Sequence, residues 1–269
     1  MRKIVLFTLL TGSCYLLNAQ INLKKATGAL EKGVAALSFS NEDAQKLAKE
    51  AVDWMDNNNP VAAADDPYAQ RLERVFGKHK NEDGLALNYK VYKVIDINAF
   101  ACADGSVRVF SSLMDILTDN ELLAVIGHEI GHVKNEDTKD AMKNAYLKAA
   151  AMEAGSAASS TVAVLNDSQI GEMANAMLDA SHSRKQETQA DTYSYDFMKK
   201  HNYEVVAAYT AFKKLALLSA GSDIKGFEKM MSSHPDSEKR AEAVKKQAQK
   251  DKLWKDPGTV SLPTTPLTE

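Results

Sequence analysis

Two histidines four residues apart with a glutamate between them, His128-Glu129-Ile130-Gly131-His132, are the residues of this chain best suited to chemistry. On a helix, positions i and i+4 share a face, so both imidazoles can reach one zinc ion while the backbone fixes their separation. Leu122, Val125, Ile126, Ile130 and Val133 mark a buried stripe along the same segment. A core helix needs such a stripe, but it has no need of two histidines and a carboxylate on its inner turn. Gly127 and Gly131 each cost about 1 kcal/mol of helix propensity relative to Ala, which points to something packing closely there.

A catalytic zinc usually has three protein ligands and a water, so a third ligand is expected from another element. Glu187, within Arg184-Lys185-Gln186-Glu187-Thr188-Gln189-Ala190-Asp191, is the best candidate. Asp191 lies one helical turn further on, where a carboxylate can hold the far ring nitrogen of a ligating imidazole. On spacing alone, a solvated charged helix face explains Glu187 and Asp191 equally well.

The elements that must position these groups read as mostly helical. Thr118 to Glu121 is a capping-box pattern opening the segment Leu122 to Asn135. Upstream, Ala44, Leu47, Ala48, Ala51, Val52 and Met55 recur at helical spacing until Asn57-Asn58-Asn59-Pro60 stops them, and a second helix starts near Pro67 and ends at Gly77. From Leu87 to Ile97 the period shortens to two. The β-rich runs Ala99 to Ala103 and Ser106 to Phe110 flank Asp104-Gly105, a hairpin signal because both turn positions favour positive φ. Helices are expected again at Ser168 to Lys200, Glu204 to Leu218 and Ser237 to Lys252. Residues 140–165 read as a helix pair or a mobile flap; Lys143, Lys148 and Glu153, with the small polar stretch Gly155 to Thr161, argue against membrane insertion. The expected fold is α+β, mainly α, with a small antiparallel sheet and hairpin beside the HExxH helix. It occupies residues 41–252, after an N-terminal segment 20–40 and before a flexible tail 253–269.

A chain of 269 residues with 45% hydrophobic content is long enough to bury a substantial core. Its formal charge of -3 offers no general attraction to nucleic acid. Two cysteines exclude both a disulfide framework and a four-cysteine zinc site. Residues 1–19 combine Arg2 and Lys3, the apolar run Ile4 to Leu10 and Leu17-Asn18-Ala19, the pattern of a signal peptide, so an exported, periplasmic protein is expected. Cys14, after Thr11-Gly12-Ser13, leaves lipid attachment and membrane tethering open. Cys102 reads as a small buried hydrophobe.

HExxH followed about fifty residues later by ExxAD resembles the HtpX-like zinc metallopeptidases, glutamate-ligand zincins, in their soluble periplasmic BepA/LoiP-like branch. The resemblance runs from Tyr89 to Arg240 and takes in Asn98-Ala99-Phe100-Ala101, the Asp104-Gly105 hairpin and Ser233-His234-Pro235. It implies a zincin-type domain with one zinc per chain held by His128, His132 and Glu187. It further implies Glu129 as general base and Asp191 behind a ligand. For His234, otherwise a turn residue before Pro235, it implies a fourth zinc ligand that holds the enzyme inactive. For Arg240, otherwise a surface cation, it implies oxyanion stabilisation. The chain carries neither the transmembrane helices nor the C-terminal TPR repeats of other members, which turns the expectation away from membrane-embedded and prenyl substrates.

The expected function is a zinc metalloendopeptidase acting on unfolded or misassembled exported proteins, with envelope or outer-membrane proteins as partners. Substrate would join the sheet edge near Val107 to Ser111 as an added strand. The alternatives are a zinc-containing polypeptide-binding chaperone or assembly factor with little hydrolysis, and a hydrolase of small amides or cell-wall peptides. Oligomeric state leaves no mark in the sequence.

Overall fold

The computed structural model describes residues 39–152, 165–221, 230 and 232–264. The expected signal peptide at residues 1–19, Cys14 and the stretch Gly155 to Thr161 lie outside the described residues. Helix α1 (Asn41–Asn58) starts at a Ser40–Asp43 capping box, and the positions it buries are those with helical spacing in the sequence. Helix α2 (Pro67–Phe76) is capped by Asp66, whose side chain accepts from the Tyr68 N–H. A 3-10 turn (Gly77–His79) then leads into a short hairpin of β1 (Asn81–Glu82) and β2 (Leu85–Ala86).

A second sheet contains β3 (Asn88–Tyr92), β4 (Ala99–Ala101) and β5 (Ser106–Phe110), in the order β3-β5-β4. β4 and β5 form the expected antiparallel hairpin, but β3 runs parallel to β5, so the sheet is mixed rather than antiparallel. The cause is that β5 folds back between its two predecessors. All five of its residues are buried, including Arg108, and its alternating pattern is therefore not that of an edge strand. The expectation of a free edge at Val107 to Ser111 is accordingly overturned, and Ser111 already opens helix α3 (Ser111–Ile116). The outer side of β3 is covered near its end, where Val61 bridges Tyr92 and the Ala62 N–H donates to Val91 O at 2.9 Å. The open edge is that of β4, which lies alongside the HExxH helix.

The turns differ from expectation in an instructive way. At Asp104-Gly105 only Gly105 has positive φ, at 84°, because the Gly105 N–H closes a turn onto Cys102 O and the glycine follows it as a left-handed residue. A Cβ there would also collide with Ala86 O at 2.0 Å. The paired positive φ values occur instead at Asp83 (48°) and Gly84 (84°), the tip of the β1–β2 hairpin.

Helix α4 (Asp119–Lys134) carries the HExxH residues and begins at the Thr118–Glu121 capping box. It is followed by α5 (Asp137–Met152), α6 (Asp167–Leu178), α7 (Arg184–Lys200), α8 (Val206–Gly221) and α9 (Ser237–Lys250). The run Ser168 to Lys200 is two helices, because Ser183 caps α7 through a box with Gln186 and interrupts the ladder. One hydrophobic cluster joins α4, α7, α8 and α9 to one face of the sheet, and a second lies between α1, α5, α6 and the other. Cys102 is buried in the second, and burial raises its thiol pKa well above the ordinary value. Beyond α9, Trp254 meets Tyr209 edge-on and Leu262 rests on the first cluster.

Candidate metal centre

The two costly glycines of α4 are explained by α7. A Cβ on Gly131 would stand 2.9 Å from Ala190 Cα and 3.0 Å from Ala190 O, and one on Gly127 would stand 3.0 Å from Phe197 Cδ1. Without Cβ atoms at these points the two backbones approach closely enough for Glu187, on the turn before Ala190, to reach the histidines.

His128 Nε2 is 3.0 Å from His132 Nε2 and 3.3 Å from His234 Nδ1. Glu187 Oε1 is 3.2 Å from His132 Nε2 and 3.0 Å from His234 Nδ1, while its Oε2 is 3.6 Å from His128 Nε2. A tetrahedral zinc shell with bonds of about 2.0–2.1 Å has edges of about 3.3 Å, so four donors on three elements already hold that spacing. Glu187 Oε2 is buried without an aligned hydrogen bond, although Arg240 Nη1 lies 2.7 Å away, leaving a lone pair that a cation would satisfy. The donor set fits zinc.

Carboxylates stand behind both histidines of α4. His128 Nδ1 lies 2.9 Å from Asp191 Oδ1, and His132 Nδ1 lies 2.9 Å from Asp137 Oδ2, so each ring is held with Nε2 turned inward. Asp137 is absent from the sequence reading. Its only signal was its place, one residue after Glu136, whose positive φ of 62° turns the chain from α4 into α5. His182 is also missing from that reading; its ring stacks on His132 with centroids 3.8 Å apart.

Arg240 is 7% exposed and is no surface cation. Its guanidinium meets Asp191 Oδ1 at 2.6 Å and Oδ2 at 2.9 Å, meets Glu187 Oε2 at 2.7 Å, and sits 4.1 Å over the Phe212 ring. It thus packs against the carboxylates of α7 and the His128 ring, and it lines a small pocket with Glu129, His128 and His234 rather than the cleft between β4 and α4. His234 is buried; besides joining the donors, its Nε2 lies 3.6 Å from Glu129 Oε1. Glu129 itself opens onto that cleft with Ala99, Phe100, Ala101, His132 and His182.

Burial, aided by Arg240, pushes the His128 pKa down to about 3. Burial also opposes charge on His132, but Asp137 and Glu187 outweigh it and lift this imidazole to about 9. Burial works against ionised Glu187 too, and His132, His234 and Arg240 overcome it, holding the carboxyl far below the usual range. Without a metal the ionised Glu187 is thus paired with a protonated His132, and that proton is the one a divalent ion would displace. Burial raises Glu129, the direction expected of a group that must take up a proton.

Residues 69–248 match the peptidase family M48 model. Over 211 residues the chain is 37% identical to "Metalloprotease YcaL" of Escherichia coli (strain K12), covering 78% of this chain and 82% of that one. It is 38% identical over 224 residues to "Metalloprotease LoiP" of the same strain, covering 82% and 87%. "Mitochondrial metalloendopeptidase OMA1" of Arabidopsis thaliana is 26% identical over 229 residues, covering 81% of this chain and 43% of that longer protein. With the family match spanning residues 69–248, and the HExxH helix and Glu187 of α7 meeting within it at one cluster of donors, the chain belongs to peptidase family M48.

Proposed function

We propose that this metallopeptidase is a zinc-dependent endopeptidase that cleaves unfolded or misassembled exported polypeptides. The observation that carries the reading is the cluster of His128, His132, Glu187 and His234 at tetrahedral spacing, with Glu129 beside it and the free edge of β4 across the cleft. Held by His128, His132 and Glu187, zinc would supply an acidified water and a polarised scissile carbonyl. Glu129 takes the proton of the attacking water and delivers it to the leaving amine. Asp191 and Asp137 fix the imidazoles, and Arg240 positions Glu187 and Asp191.

β4 supports a preference for extended, unfolded substrate. Asn98 O and Cys102 N bond to β5, so the alternation of the strand turns the backbone groups of Ala99 and Ala101 outward. A polypeptide adding there is read mainly through its backbone, which gives weak sequence preference. His234 fills the fourth position of the donor set and lies against Glu129, which supports a self-inhibited resting form that must release His234 before water can enter. Residues 1–19 support export to the periplasm, with Cys14 as the tether if it is lipidated, and envelope proteins as substrates or partners.

The test is casein hydrolysis by the zinc-loaded chain and its variants. Glu129→Gln is expected to abolish hydrolysis with zinc content unchanged, and His234→Ala to raise it. If the zinc-loaded His234→Ala chain cleaves no unfolded protein, the endopeptidase reading fails and a polypeptide-binding chaperone takes its place.

A further inference from the structure

A second group of metal-ligating side chains lies at the far end of α7. His79 from the 3-10 turn, Glu82 from β1 and His201 after the last turn of α7 bring one donor atom each within 4.8 Å of the others. His79 Nδ1 and His201 Nε2 are both 3.1 Å from Glu82 Oε2. These are again the edges of a shell with bonds of about 2.0–2.1 Å, and two imidazoles with one carboxylate is a common zinc donor set.

The surroundings match. Tyr203 Oη is 2.7 Å from His79 Nε2; with that nitrogen donating to the hydroxyl, Nδ1 presents its lone pair to Glu82 and the space beside it. Lys200 Nζ holds Glu82 Oε1 at 2.6 Å and leaves Oε2 for a cation. His79 and Glu82 are buried, whereas the His201 side chain is 26% exposed, which gives an ion an entry path and a water in the remaining position. From Glu187 to His201 is fourteen helical steps, about 21 Å, so this cluster shares no donor with the HExxH site.

We propose that His79, Glu82 and His201 bind a second divalent ion of the zinc class, a structural clasp that ties the β1–β2 hairpin to the C-terminal end of α7. Its occupancy does not depend on the peptidase reading.

The experiment measures metal content of the full chain after equilibration with Zn2+ and removal of the excess, with circular dichroism to confirm the fold. His201→Ala is expected to carry one zinc equivalent fewer than the wild-type chain. Tyr203→Phe, which keeps all three donors, is expected to weaken one of two Zn2+ binding steps by about 10–100-fold. In a Co2+ titration read by visible absorption, a step present in the wild type is expected to be missing in His201→Ala. Wild-type zinc content in folded His201→Ala, or a wild-type chain whose whole zinc content vanishes with His128→Ala, overturns the site. If His201→Ala does not fold, a Tyr203→Phe chain with unaltered zinc affinities overturns it instead.

Discussion

Gly131 of α4 and Ala190 of α7 are in backbone contact: the place where a Gly131 Cβ would sit is 2.9 Å from the Ala190 Cα. This contact joins the two motifs, since Gly131 immediately precedes His132 and Ala190 separates Glu187 from Asp191 along α7. Gly127 makes a softer contact, against the ring of Phe197.

Gly131→Ala and Gly127→Ala should therefore differ. Each gains about 1 kcal/mol of helix propensity. At Gly131 the obstacle is backbone, so α7 must move away from α4, with an overpacking cost of about 1–3 kcal/mol and a longer reach from Glu187 to the histidines. At Gly127 the Phe197 ring can turn aside. Denaturant unfolding and zinc competition with a chelator should show Gly131→Ala less stable and weaker for zinc, and Gly127→Ala close to wild type. Equal effects would remove the helix-spacing argument.

Asp137→Asn and Asp191→Asn test the carboxylates behind the histidines. Each is expected to weaken zinc binding by about 10–100-fold, because the imidazole loses the partner that fixes its tautomer and orientation. The Asp191 variant should be the less stable of the two, since it also strips Arg240 of two short contacts inside the protein. Chelator competition ranks the affinities and thermal unfolding ranks the stabilities.

The readability of this chain follows local physics. Helices α1, α2 and α4 announced themselves through caps and periodicity, and the HExxH spacing is a property of one helix. What could not be read is set by partners distant in sequence. Nothing local to the run Ser106 to Phe110 shows that Asp56 of α1, 52 positions away, is brought over Arg108. Asp137 looks like any acidic residue at the start of a helix, and His182 like any histidine in a polar loop. Only the turn at Glu136 and the fold of the 233–235 loop bring them to His132 and Ser233, where the His182 N–H donates to Ser233 O at 3.2 Å. Glu187 and Asp191 stood between a surface reading and a site reading for the same reason: spacing within α7 says nothing of what packs on it.

Ala101→Pro tests the strand edge. Proline keeps a strand-compatible φ but removes an N–H, and at Ala101 that N–H faces the cleft rather than β5. Casein hydrolysis should fall by about tenfold or more, chiefly through a raised KM, with zinc content unchanged. A variant that cleaves casein like the wild type would show that substrate does not pair with β4.

The last prediction concerns the anchor of the sheet that presents this edge. Asp56 Oδ1 and Oδ2 take Arg108 Nε and Nη2 at 2.8 and 2.9 Å, and the Tyr92 hydroxyl donates to Oδ1 at 2.7 Å. Burial alone would raise the Asp56 pKa, but Arg108, Lys90 and Tyr92 outweigh it and lower it to about 2. A carboxyl whose folded pKa is depressed stabilises the fold above its unfolded pKa of about 4, and that contribution is lost as pH falls toward 2. The difference between the folded and unfolded values corresponds to about 2 kcal/mol. Asp56→Asn should cost more than this at neutral pH, about 3–5 kcal/mol, because it leaves the Arg108 charge buried and unpaired. Urea unfolding at pH 7 and near pH 2 should show the gap between wild type and variant narrowing in acid; a gap that stays constant with pH would mean that this ion pair does not hold α1 to the central strand.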